Sequence, residues 1–125
     1  MCGISAIFLH QADPSPQAGD EIQRIIGLMD RRGPDGEGIW QSTCGRLLLG
    51  HRRLAIIDTG ATGHQPMECD DLVIAYNGEI YNYRKLRQEL TEAGHAFHTG
   101  SDTEVILVGY RHWGEAMLPR LRGMF

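Results

Sequence analysis

At 125 residues, with 42% hydrophobic and 22% charged side chains, the chain has the length and composition of one globular domain, residues 1–125. Its net charge of −4, with basic residues scattered as Arg31-Arg32, Arg52-Arg53 and Arg84-Lys85, argues against nucleic acid as a partner. No stretch approaches the ~18 apolar residues of a membrane span, no signal-peptide pattern opens the chain, and three widely spaced cysteines (Cys2, Cys44, Cys69) make no disulfide framework. The expected setting is the reducing cytoplasm, away from a membrane.

The first element is "GISAIFL" (Gly3 to Leu9), a short apolar run that reads as a buried strand and gives way to the turn-rich "HQADPSPQAG", a surface loop. A helix follows, capped by Asp20 with Gln23 three residues on, and Ile22, Ile25, Ile26 and Met29 fall on one face. "RRGPDGEG" ends it in a tight turn, after which "IWQS", "RLLLGH" and "RLAIID" read as successive strands.

"DLVIAY" (Asp71 to Tyr76) is a further buried strand that runs into "NGEIYN". The spacing then predicts a helix over Tyr83 to Ala93, with Asn82 as cap, Leu86 and Leu90 one turn apart, and Gly94 as its stop. A third helix opens on a capping-box pattern, Ser101 with Glu104, ahead of the apolar run Val105 to Val108. Strands, helix, strands and helices in that order, without a repeat, predict an α+β fold and not a parallel βαβ sheet. "RLRGMF" at the C-terminus reads as the entry to another core element, as if the chain were a fragment.

Most chemistries find no support. The six His and three Cys include no C-x-x-C or H-E-x-x-H pair, and His95 and His98 have no matching ligands, so no metal site is expected. "GPDGEG" does not match G-x-G-x-x-G and follows a helix, and neither a Walker loop nor a G-x-S-x-G elbow is present.

Cys2 stands apart. A small residue in second position permits removal of Met1, which leaves a cysteine with both a thiol and a free α-amino group, so nucleophile and base share one residue. The competing reading is an ordinary small strand residue. "AYNGEIYN" offers company. Asn77-Gly78 after a strand is most simply a hairpin turn, but a helix and not a pairing strand is expected next. The Asn77 amide beside the unobstructed Gly78 N–H supplies two donors aimed at one point, as an oxyanion hole requires.

In "GHRRLAIID", strand alternation puts Arg53 on the face of His51 and Arg52 on that of Leu54, which does not decide between the two arginines. A buried Arg suits a carboxylate, whereas the plain reading is a solvated cation. Asp102 after the cap Ser101 either complements a helix dipole or binds an ammonium group.

Taken in order, "MCGISAIF", "RRGPDGEG", "GHRRLAIID", "YNGEIYNYRKLRQEL" and "TGSDTEVIL" resemble the N-terminal glutaminase domain of class II glutamine amidotransferases, in particular that of glutamine-hydrolysing asparagine synthetases. The likeness runs from Met1 to Phe125. It implies that Cys2 attacks the glutamine side-chain amide to form a γ-glutamyl thioester, and that Asn77 and the Gly78 amide form the oxyanion hole. It further implies that Arg53 holds the α-carboxylate, Glu79 and Asp102 surround the α-ammonium, and the backbone of Arg53, Leu54, Ala55, Ile56 and Ile57 lines the pocket.

The resemblance also implies an N-terminal-nucleophile hydrolase fold, two stacked antiparallel sheets between helical layers. In that family "RLRGMF" continues into further core strands and an ATP-dependent synthetase domain. Those strands, ATP and magnesium are thus expected outside this chain, which itself needs no cofactor. The implied partners are L-glutamine and a synthetase domain, on an extension or a separate chain, with room for a homodimer. Aspartate is the leading acceptor. An inactive interaction module with an exposed sheet edge is the alternative. A hydrolase of some other amide fits poorly with one cation and two acids around the substrate.

Overall fold

Alternating burial along Gly3–Phe8 (β1) places Gly3, Ser5 and Ile7 on one side and Ile4, Ala6 and Phe8 on the other. In the computed structural model, which describes residues 1–10, 16–58 and 60–125, contacts divide the chain into two units. The first holds Met1–Ala55, His64–Pro66 and Ala75–Asn77, and the second Ile56–Gly63, Met67–Ile74 and Gly78–Phe125.

The first unit is built on a three-stranded antiparallel sheet in which Leu47–Arg53 (β3) lies between β1 and Gly36–Gln41 (β2). The helix Pro16–Gly27 (α1) packs on one face through Ile22 and Ile26, both fully buried, against Leu48. Each such side chain contributes about 1.5–3 kcal/mol by leaving water. The approach is close enough to require Gly50, since a Cβ there would sit 2.6 Å from Ile26 Cγ2. The helix begins four residues before the expected cap Asp20, and residues 11–15 of the expected loop lie outside the described residues. On the opposite face Ile4 and Phe8 are 49% and 57% exposed.

"RLAIID" is not a strand beyond Arg53. The Leu54 amide donates to Cys2 Sγ and the Ala55 amide to Asp35 Oδ2, so neither is available to a ladder, and Asp58 takes a left-handed φ of 51°.

The second unit contains the hairpin Met67–Cys69 (β4) with Leu72–Ile74 (β5), a two-residue strand Glu79–Ile80 (β6), and the helices Tyr83–Glu92 (α2) and Asp102–Trp113 (α3). Against the expectation of a helix alone after Asn77-Gly78, β6 pairs with Gly123–Met124 (β7) before α2 begins. Leu86 and Leu90 of α2 are buried, as is all of Asp102–Gly109 in α3, and Gly94 ends the α2 turn at φ 96°.

The side chains expected to cap α2 and to complete the capping box of α3 are engaged elsewhere. Asn82 occupies the cap position of α2, but its side chain donates to Arg120 O and accepts from Arg122 N. Ser101 caps Thr103 N as expected, whereas Glu104 leaves the capping box and accepts from His98 N, Thr99 N and Thr99 Oγ1, with Arg87 alongside. Among the described residues all strand pairings are antiparallel and three helices accompany them, a mixed α/β architecture. The same residues contain no helix long and apolar enough to cross a membrane.

Candidate functional site

In the first unit Cys2 stands immediately before β1, half-buried. Leu54 N donates to its Sγ at 3.3 Å and the thiol lies 3.6 Å from Leu54 O. The same stretch is tied down a second time, because Asp35 accepts from Ala55 N at 2.8 Å and donates its own amide to Arg53 O at 2.9 Å. Of the two arginines that alternation left open, Arg52 is committed within the sheet. It pairs with Glu37 at 2.6 Å, directly across from it in the β2–β3 register, and donates to Gly33 O. Arg53, on the face of His51, is half-buried.

Asn77 follows Tyr76, whose amide donates to Gln65 Oε1 at 2.6 Å and whose carbonyl meets His51 Nε2 at 3.1 Å. A carbonyl only accepts, so Nε2 carries the proton and Nδ1 is left unprotonated in the neutral ring. Burial lowers the His51 pKa, with the positive charges of Arg53 and His64 acting in the same direction and the Tyr76 carbonyl opposing them.

In the second unit Asp102 opens α3 with only 5% of its surface exposed, and its Oδ2 accepts from Ile80 N at 2.9 Å, the residue after Glu79. Burial raises its pKa above the ordinary carboxylate range, outweighing the backbone N–H groups of Ile80, Asp102 and Thr103 that favour the anion. Ile57, Gly78 and Glu79 are half-buried and Ile56 is 59% exposed. Asp58, next after Ile57, accepts from Gly100 N at 2.9 Å and from Thr62 Oγ1.

The structure thus draws Cys2 and Leu54 together in one unit and Ile80 and Asp102 in the other. Sequence reasoning did not single out His51, Gln65, Asp35 or Asp58. Their one visible signal is the presence of a polar residue inside an otherwise apolar or turn segment, and that signal does not identify a partner.

The first unit thus holds a Cys in second position with its sulfur engaged by the Leu54 backbone, and the second a buried acid at a helix start. The sequence matches the glutamine amidotransferase domain family along residues 1–125, and the chain belongs to that family. It is 44% identical over 142 residues to a putative glutamine-hydrolysing asparagine synthetase of Mycobacterium tuberculosis. It is 42% identical over 130 residues to glutamine-hydrolysing asparagine synthetase 1 of Bacillus subtilis, and 42% over 127 residues to that of Asparagus officinalis. Each match takes in 100% of this chain and 20–21% of the relative, so the chain spans about a fifth of the length of these curated relatives.

Proposed function

We propose that the chain is a glutaminase domain that hydrolyses the side-chain amide of L-glutamine. The observation that carries this reading is the family match along the whole chain with a cysteine at position 2 whose sulfur is fixed by Leu54. After removal of Met1, the Cys2 amine takes the thiol proton and the sulfur attacks the amide carbon. The oxyanion is held by Asn77 and the Gly78 N–H. The C–N bond then breaks, the leaving nitrogen takes the proton and departs as ammonia, and water hydrolyses the thioester to glutamate and free thiol. Arg53 binds the α-carboxylate, Glu79 and Asp102 the α-ammonium, and the backbone of residues 53–57 lines the pocket. One cation and two acids select a zwitterionic amino acid over a simple amide.

The reading extends to one domain over residues 1–125 with the N-terminal-nucleophile hydrolase fold, supported by the antiparallel sheets and helices. The names of the relatives support asparagine synthesis as the destination of the ammonia, and the cytoplasm is the setting that completes this reading. Aspartate is the acceptor, and ATP with magnesium is used on a synthetase domain and not on these residues. The test is intact-mass analysis after exposure to an electrophilic glutamine analogue. One adduct that needs Cys2, is blocked by glutamine and forms on chains lacking Met1 is the expected result. No adduct on a correctly processed chain would favour an interaction module, for which the exposed Ile4 and Phe8 face supplies an apolar surface.

A further inference from the structure

Tyr76 lies past the end of β5, where ladder pairing no longer fixes the backbone. Both of its main-chain polar groups are instead engaged by side chains from two other parts of the first unit. Gln65 Oε1 accepts from the Tyr76 amide at 2.6 Å, and His51 Nε2, on β3, donates to the Tyr76 carbonyl at 3.1 Å. His51 is fully buried and Gln65 is 7% exposed, so water is poorly placed to substitute for either bond. The support is itself stiff. Gln65 lies on β2 so closely that a Cβ at Gly38 would run into Gln65 O, and His51 belongs to the central strand of the sheet.

We propose that His51 and Gln65 are positioning residues for Asn77, clamping the peptide groups on both sides of Tyr76 so that the next side chain is aimed at the developing oxyanion. The inference rests on the glutaminase reading, which assigns Asn77 its role. An oxyanion exists only once the sulfur has attacked, so a misaimed Asn77 weakens the transition state and leaves glutamine binding nearly intact. A small displacement suffices to cost about tenfold or more in rate.

The test is steady-state glutamate release by the full natural chain, comparing wild type with His51→Asn, His51→Gln and Gln65→Asn. An asparagine at either position is polar but too short to reach Tyr76, whereas a glutamine in place of His51 puts its amide near the position of Nε2. Expected is a fall in kcat of about tenfold or more for His51→Asn and Gln65→Asn, with KM for glutamine within about threefold of wild type, and substantial recovery in His51→Gln. If His51→Asn does not fold, Gln65→Asn carries the test from the other side of the same residue. An unchanged kcat, a change confined to KM, or a His51→Gln variant no better than His51→Asn would overturn the proposal. Wild-type protein that releases no glutamate would instead remove the glutaminase reading, and the clamp's purpose with it.

Discussion

Leu54 gives its amide proton to Cys2 Sγ across 3.3 Å, and the thiol in turn lies 3.6 Å from Leu54 O. One residue therefore addresses both the lone pair and the proton of the sulfur, and it can do so because the chain leaves the ladder immediately after Arg53. A hydroxyl would satisfy the same backbone but is a much weaker nucleophile. Cys2→Ser is expected to stay within about 1 kcal/mol of wild-type stability and to lose all adduct formation with a glutamine analogue. Thermal melting and intact mass read the two effects separately, and an adduct of unchanged yield on the serine variant would remove Cys2 from the chemistry.

Asp102 sets function against stability. Its folded pKa is raised by burial, so below the unfolded value both states hold the proton and the folded protein bears no penalty. As pH rises through the folded value, a charge must be sustained in a buried place and stability falls. Asp102→Asn keeps an oxygen for Ile80 N and abolishes that charge. It should stabilise the protein by about 1 kcal/mol at neutral pH and flatten stability above the ordinary carboxylate range. The same change should raise the glutamine KM about tenfold or more if the carboxylate meets an ammonium group. Urea unfolding at pH 4 and pH 7, with glutaminase kinetics, checks both halves. A destabilised variant with unaltered KM would contradict them.

Much of the fold was legible because it is periodic. Gly3–Phe8 and Leu47–Arg53 alternate or run apolar, and the isoleucines of α1, the leucines of α2 and the apolar run of α3 mark buried faces. Two of the misreadings share one physical cause, which is side chains claiming backbone from a distance in sequence. Residues 54 and 55 look like strand but give their amides to Cys2 and Asp35, and Glu104 looks like half of a capping box but serves residues 98 and 99. Glu79–Ile80 is too short to show any period. The candidate chemistry was readable as side-chain motifs, Cys2 and Asn77-Gly78 above all. His51, Gln65, Asp35 and Asp58 act on main-chain atoms, and such contacts leave no trace in a pattern of residue types.

Asp58 is a second such anchor, and it lies wholly within the second unit. Its carboxylate ties the segment after Ile57 to Gly100, two residues before Asp102, and accepts from Thr62 Oγ1, with the backbone held at φ 51°. Glycine tolerates that φ and supplies no acceptor, whereas asparagine tolerates it and keeps one. Asp58→Gly should cost about 1–3 kcal/mol, and Asp58→Asn less than half as much. Denaturant unfolding of the two variants side by side is the check, and equal losses would show that the carboxylate contacts contribute little.

His51 should also make stability depend on pH, in the opposite sense to Asp102. Its folded pKa lies below the unfolded value of about 6.5. Between those two values the unfolded chain binds the extra proton and the folded one does not, so stability is full above about pH 6.5 and declines as pH falls toward the folded value. The structural reason is local. Nε2 already carries its proton toward Tyr76 O, so ionisation must place a second proton on Nδ1, which has no hydrogen-bond partner among the described residues and lies near the positive charges of Arg53 and His64. His51→Gln cannot ionise and should unfold with a shallower pH dependence between pH 7.5 and pH 5.5 than wild type. Denaturant midpoints measured at half-unit intervals give the slope, and identical slopes in the two proteins would mean that another group governs this range.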